Sequence, residues 1–228
     1  MNYAIILSGG VGSRTGLDIP KQYHELNGKP LIQYVINRIT SCDFIDGYVI
    51  VAASEWHDFI DEVMAKNAGE SSGFLGYAVP GANRQLSIYN GLKLLETFAS
   101  EDDIVLVQDA ARPYTSEELI KKCFDLKSDE DGAMPVLPMT DTVYQSKDGK
   151  LVSALLDRSQ IFAGQAPESF KFGKYLKANE VLLPNLILSI NGSSEPAVLA
   201  GMNIVMIAGE KTNIKVTTAA DFEHLYFH

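Results

Sequence analysis

The residues Ser8-Gly9-Gly10-Val11-Gly12-Ser13-Arg14, followed closely by Pro20-Lys21-Gln22-Tyr23, carry the strongest chemical signal in the chain. Glycines let a backbone turn sharply and approach a ligand. Successive N–H groups in such a turn form a concavity for anions. Arg14 and Lys21 add two positive charges beside it. An apolar run at 3–7 comes first, so the turn sits at the end of a buried strand. This arrangement suits a triphosphate. The commoner glycine motifs are excluded: counting from Gly10, the sixth position of G-x-G-x-x-G is Thr15, and G-x-x-x-x-G-K-[ST] is absent. A plain strand-to-helix turn with solvated cations is the bland alternative, and the Pro20-Lys21-Gln22-Tyr23 segment weighs against it.

Further blocks of the same character follow. They are Gly81-Ala82-Asn83-Arg84-Gln85-Leu86-Ser87, Asp109-Ala110-Ala111-Arg112-Pro113, Gly164-Gln165-Ala166-Pro167 and Asn213-Ile214-Lys215-Val216-Thr217-Thr218. Ligands of open parallel sheets bind beyond the carboxyl ends of the strands. The segments 8–14, 81–87 and 109–112 each follow an apolar strand pattern. They should bring Arg14, Lys21, Arg84 and Arg112 to one crevice, with Asp109 among them.

The elements needed to hold these blocks are legible. Apolar strand runs at 3–7, 48–52, 77–79, 104–107, 133–137 and 204–207 alternate with helical stripes, including Leu31/Tyr34/Val35/Ile39, Trp56/Phe59/Ile60/Val63/Met64 and Ile88/Leu92/Leu95. Ser54 and Ser116 are candidate helix caps. The pattern predicts an α/β fold: a Rossmann-like, mostly parallel open sheet with helices on both faces. At 228 residues, a single domain spanning 1–228 is expected, with an arm protruding at about 139–162. Within the arm, 142–154 reads as a hairpin with a polar turn, of the kind that packs on another subunit.

Composition narrows the function. The net charge of −10 and the lack of a Lys/Arg run exclude a nucleic-acid partner bound through a basic footprint. Each placed cation is then more telling. The two cysteines, Cys42 and Cys123, read as small core residues. No leader pattern or membrane-length apolar stretch is visible, which predicts a cytoplasmic protein.

Taken together, these blocks resemble the 2-C-methyl-D-erythritol 4-phosphate cytidylyltransferases and their relatives, the ribitol-5-phosphate cytidylyltransferases. They stand in that family's order over nearly the full length. The resemblance implies the nucleotide-diphospho-sugar transferase type of fold, a homodimer joined through the arm, and transfer of CMP from CTP to a sugar-alcohol phosphate with Mg²⁺. It also implies residue roles. The N–H groups of Gly9, Gly10, Val11, Gly12 and Ser13 would hold the β- and γ-phosphates, with Ser8 part of the same nucleotide-binding turn. Arg14 and Lys21 would neutralise the triphosphate, and Lys215 would reach the α-phosphate. Gly81, Arg84 and Ser87 would face base and ribose. Asp109 would contact substrate or magnesium. Arg112, Arg158 and Ser193 would hold the second substrate, with Arg158 reaching the site from the partner's arm.

The attacking phosphate is already anionic near neutral pH, because its second pKa is about 6. No proton-abstracting side chain is required, which matches a chain offering glycines and cations instead of a triad. The family usually has methionine where Thr15 stands and an acidic residue where Ala82 stands, but the most telling departures lie in the acceptor half. The family's T-P-Q appears as Ala166-Pro167-Glu168, and its T-D-E-A or T-D-A segment is replaced by Ser193-Ser194-Glu195-Pro196-Ala197. Unchanged CTP chemistry with a changed acceptor is expected: ribitol 5-phosphate or a related polyol phosphate. Methylerythritol phosphate is the alternative, and a non-catalytic nucleotide-binding module is the second.

Overall fold

The apolar runs become strands, and the stripes become helices packed on them. In a computed structural model that describes residues 1–10, 19–66 and 73–226, the strands are β1 (Asn2–Leu7), β2 (Glu25–Leu26), β3 (Lys29–Pro30), β4 (Gly47–Val51), β5 (Phe74–Ala78), β6 (Ile104–Asp109), β7 (Gly132–Pro138), β8 (Tyr144–Gln145), β9 (Ala154–Leu155), β10 (Phe162–Gly164), β11 (Glu168–Lys171) and β12 (Ile204–Ala208). The helices are α1 (Leu31–Ser41), α2 (His57–Lys66), α3 (Arg84–Leu95), α4 (Glu117–Phe124), α5 (Phe172–Glu180), α6 (Glu195–Leu199) and α7 (Ala219–Tyr226).

β1 lies at the centre, paired in parallel with β4 on one side and β6 on the other; β5 continues beyond β4. Side chains alternate between the two faces of a strand, and the core divides accordingly. Ala4, Ile6, Tyr48, Ile50 and Leu106 pack with α1, α2 and α4. Tyr3, Ile5, Val49, Val51, Val105 and Val107 pack with α3 and α5. Continuous apolar strands are what a sheet covered on both faces requires. Both cysteines are free and buried in the first of these layers; burial pushes the Cys42 thiol up to about 11. Among the described residues, no helix is long and apolar enough to cross a membrane.

Two local features differ from expectation. Ser54 caps nothing: residues 54–56 form a 3-10 turn behind Ala53, and no side-chain cap bond is made. Ser116 does cap α4, its Oγ accepting from Leu119 N–H at 3.0 Å. The second feature is β11, which runs antiparallel between β6 and β7 and is hydrogen-bonded to both. β10 precedes it along the same edge of β7, while β12 pairs in parallel with the other edge. The sequence hides β11 because only Phe170 in it is a large apolar residue.

The 139–162 segment leaves and returns at paired positions, Pro138 opposite Phe162. Its outer part is the β8–β9 hairpin, Tyr144 opposite Leu155 and Gln145 opposite Ala154. Tyr144, Leu151, Val152 and Leu155 on it are exposed.

Candidate active site

The carboxyl ends of β1 and β6, the turn after β5 and the segment around Lys215 surround a hollow of about 350 Å³. Gly9, Gly10, Lys21, Arg84, Asp109 and Lys215 are among the residues lining it, together with Gly81 and Ser87. A second hollow of about 440 Å³ lies between α1 and residues 113–116; none of the residues given a catalytic or binding role from the sequence lines it.

Asp109 organises the cations. It ends β6, only 7% exposed. Its Oδ1 accepts from Arg84 Nε at 3.2 Å and Nη2 at 2.9 Å. Its Oδ2 lies 2.9 Å from Lys215 Nζ and 3.6 Å from Arg112 Nε. Burial alone would raise its pKa, but Arg84, Lys215 and Arg112 overcome that and hold it well below the usual carboxylate range. Asp109 is therefore ionised and fully engaged. In this structure both of its oxygens face cations, Oδ1 toward Arg84 and Oδ2 toward Lys215. Among the described residues, no cluster of three or more potential metal ligands exists.

Arg112 is buried beside Asp109 and is not among the residues lining the hollow; its Nη1 donates to Asn213 O at 2.6 Å. Three cations compete for one buried carboxylate, and Arg112 takes the inner place. Asn213 is a residue the sequence reading left without a role. Fully buried, it accepts from Thr115 Oγ1 at 3.1 Å and donates to Ala166 O at 2.8 Å. Val216 N–H donates to Ala111 O at 2.9 Å. These bonds fasten the Lys215 segment beside Asp109.

The glycine turn is held from below. Gln22 donates from Nε2 to Ser8 O at 2.7 Å and to Gly10 O at 2.8 Å. Ser8 is buried, and its hydroxyl bonds Tyr23 OH at 3.0 Å. Tyr23 stacks on Trp56 with ring centroids 4.1 Å apart. Gly9 is required by close approach, since a Cβ there would fall 2.7 Å from Pro80 Cβ. Gly10 faces open space. Val11, Gly12, Ser13 and Arg14 lie outside the described residues. Replacing Gln22 by alanine frees two carbonyls and should loosen the turn. The expected outcome is about a tenfold rise in KM for CTP with kcat little changed, read from initial rates.

The remaining residues are tied into the frame. Gly81 must be glycine for packing, because a Cβ would meet Leu86 at 2.5 Å. Its N–H is taken by Ser87 Oγ at 2.9 Å, and Ser87 donates to Asn83 O. The Gly81 amide is thus not offered to a base edge. Ser193 is buried and does not line the hollow; its Oγ accepts from Arg84 Nη1 at 2.6 Å and donates to Glu168 Oε1 at 2.7 Å. Arg158 lies on the arm, donating to Thr140 O at 2.6 Å, away from the hollow.

A family model described as 2-C-methyl-D-erythritol 4-phosphate cytidylyltransferase (IspD) matches residues 2–227. The chain belongs to this family. A cytidylyltransferase of that name from Thermosipho melanesiensis is 30% identical over 97% of this chain and 94% of its own length. A ribitol-5-phosphate cytidylyltransferase from Streptococcus agalactiae serotype V is 29% identical over 97% and 92%. The crystal structure of Francisella tularensis 2-C-methyl-D-erythritol 4-phosphate cytidylyltransferase superposes with a TM-score of 0.80 at 25% identity, covering 99% of this chain and 98% of the other. The fold is the Rossmann-like one of these enzymes, and the chain is a CTP-dependent cytidylyltransferase. For a cytidylyltransferase, a hollow whose described lining includes Lys21, Arg84 and Lys215 with the ion-paired Asp109 is chemically apt: the two reactants it must join are both anions.

Proposed function

We propose that the chain transfers CMP from CTP to a sugar-alcohol phosphate, ribitol 5-phosphate or a related polyol phosphate, releasing pyrophosphate and a CDP-alcohol. The observation that carries this reading is the lining of one hollow by Lys21, Arg84 and Lys215 beside the Gly9–Gly10 backbone. An acceptor phosphate oxygen attacks the α-phosphorus, forming a new P–O–P link. The α–β anhydride bond breaks, and its electron pair leaves on pyrophosphate. The attacker carries its charge already, so the protein's task is electrostatic. Lys21, with Arg14, offsets the triphosphate charge; Lys215 faces the α-phosphate; Arg84 faces the nucleoside side. CTP comes as its magnesium complex, the metal arriving with the substrate.

The polyol reading is supported by the acceptor half of the sequence, where Ser193-Ser194-Glu195-Pro196-Ala197 stands in place of the family's T-D-E-A or T-D-A segment. The near-equal identity to both kinds of relative keeps methylerythritol phosphate as the second reading. Pyrophosphate release from CTP with ribitol 5-phosphate, glycerol 3-phosphate and methylerythritol phosphate decides between them. The highest kcat/KM should fall on a polyol phosphate; a preference for methylerythritol phosphate would replace that assignment.

The protein acts as a cytoplasmic homodimer, in which the exposed apolar residues of the arm pack on a second copy and Arg158 completes the partner's acceptor site. Light scattering at micromolar concentration should give twice the chain mass. A fully active monomer would refute the shared site.

A further inference from the structure

Glu168 opens β11, is buried, and has no part in the chemistry above. Its Oε1 accepts from Ser193 Oγ at 2.7 Å, and its Oε2 accepts from Ser194 Oγ. Ser193 Oγ accepts in turn from Arg84 Nη1 at 2.6 Å. A serine hydroxyl has a single proton and two lone pairs. Because the Ser193 proton goes to Glu168, a lone pair remains for Arg84. The direction of the chain is thereby fixed: Arg84 donates to Ser193, and Ser193 donates to Glu168.

Arg84 has a rigid, planar donor fork. Nε and Nη2 point to Asp109 Oδ1, while Nη1 points to Ser193. Held by Asp109 alone, the guanidinium could pivot about that oxygen. The Ser193 bond, on a different nitrogen, fixes its plane against the hollow. Tyr175 OH, donating to Ser193 O at 2.7 Å, pins the backbone at this point.

We infer that Glu168 is a positioning residue for nucleotide binding: acting through Ser193, it sets the orientation in which Arg84 meets the nucleotide. This rests on the reading of the hollow as the CTP site. Glu168 touches neither the hollow nor the reacting atoms. Its contribution is to keep the Ser193 hydroxyl turned so that Arg84 can use it.

The test is CTP affinity by titration calorimetry in the presence of magnesium, with the melting temperature of each variant recorded. Glu168→Ala and Ser193→Ala should each weaken binding about tenfold. The double variant should be no weaker than the weaker single one, since both remove the same restraint. Glu168→Gln should bind within about twofold of the wild type, because its amide oxygen still accepts from Ser193 and its NH₂ group donates to Ser194. Ser193→Ala deletes one hydroxyl and serves as the variant least able to disturb folding.

Wild-type affinity in Glu168→Ala would overturn the inference. So would equal loss in Glu168→Gln and Glu168→Ala, or multiplying losses in the double variant. If the wild-type protein does not bind CTP, the nucleotide reading itself falls, and this inference with it. Tight wild-type binding with unaffected variants refutes the positioning role alone.

Discussion

Lys215→Ala should lower kcat by about 10²–10³-fold, the scale of losing one preorganised group that stabilises transition-state charge. The Nζ lies 2.9 Å from Asp109 Oδ2, at the edge of the hollow. Its backbone is fastened independently, through the Asn213 bonds and the Val216–Ala111 bond. The ammonium can therefore be removed without releasing the segment. Asp109 keeps Arg84 as a close partner, so the melting temperature should fall only slightly. KM for CTP should change less than kcat, because the charge Lys215 meets grows mainly in the transition state. Single-turnover measurement of pyrophosphate release checks this. A drop of less than about tenfold at saturating substrates would remove Lys215 from the reaction.

Asp109→Asn should be damaging in a different way. The shape is kept, but Arg84, Arg112 and Lys215 lose the one anion they share. Breaking a buried pair by removing one partner costs about 3–5 kcal/mol, because uncompensated charge is left behind. Chemical denaturation should show a loss of that order, and turnover should fall because the freed cations repel one another and leave their places. The pH dependence has a definite sign. The folded-state pKa of Asp109 is depressed below its ordinary value of 3.8. Its contribution to stability is complete above that value and fades as pH falls below it toward the depressed folded value. The stability gap between wild type and Asp109→Asn should therefore be widest near neutral pH and narrow below about pH 4. A gap independent of pH would show that the carboxylate charge is not what holds the cluster.

The nucleotide half was legible in the sequence because its signals are local. Apolar runs ending in Gly9–Gly10, Gly81 and Asp109 mark strand ends, and strand ends of a parallel sheet converge whatever the intervening chain does. Lys21, Arg84 and Asp109 were legible in this way, Lys215 only through the resemblance to the family, and all four line one hollow. The supports were not legible. Gln22 below the turn, Asn213 behind Arg112 and Glu168 behind Ser193 are polar residues whose partners lie far away in the chain. Periodicity reports which face of an element is apolar and is silent about such pairings. The inner position of Arg112 was hidden for the same reason: nothing in the sequence told which of several cations would take the inner side of one carboxylate. β11 was missed because its stability comes from neighbours on both edges, and its own residues carry no marked pattern.

The pairing of Pro138 with Phe162 has a consequence for how this protein can vary. Everything between those two residues is a closed excursion, rooted in the sheet and returning to where it left. Lengthening a loop is inexpensive, since closure entropy rises only logarithmically with its size. Residues can be added or deleted near Gly149, at the tip of the excursion, without shifting the register of β6, β7 or β11. Within one chain, none of the described residues lining the hollow lies in the excursion, so its tip can change in length while that lining stays as it is.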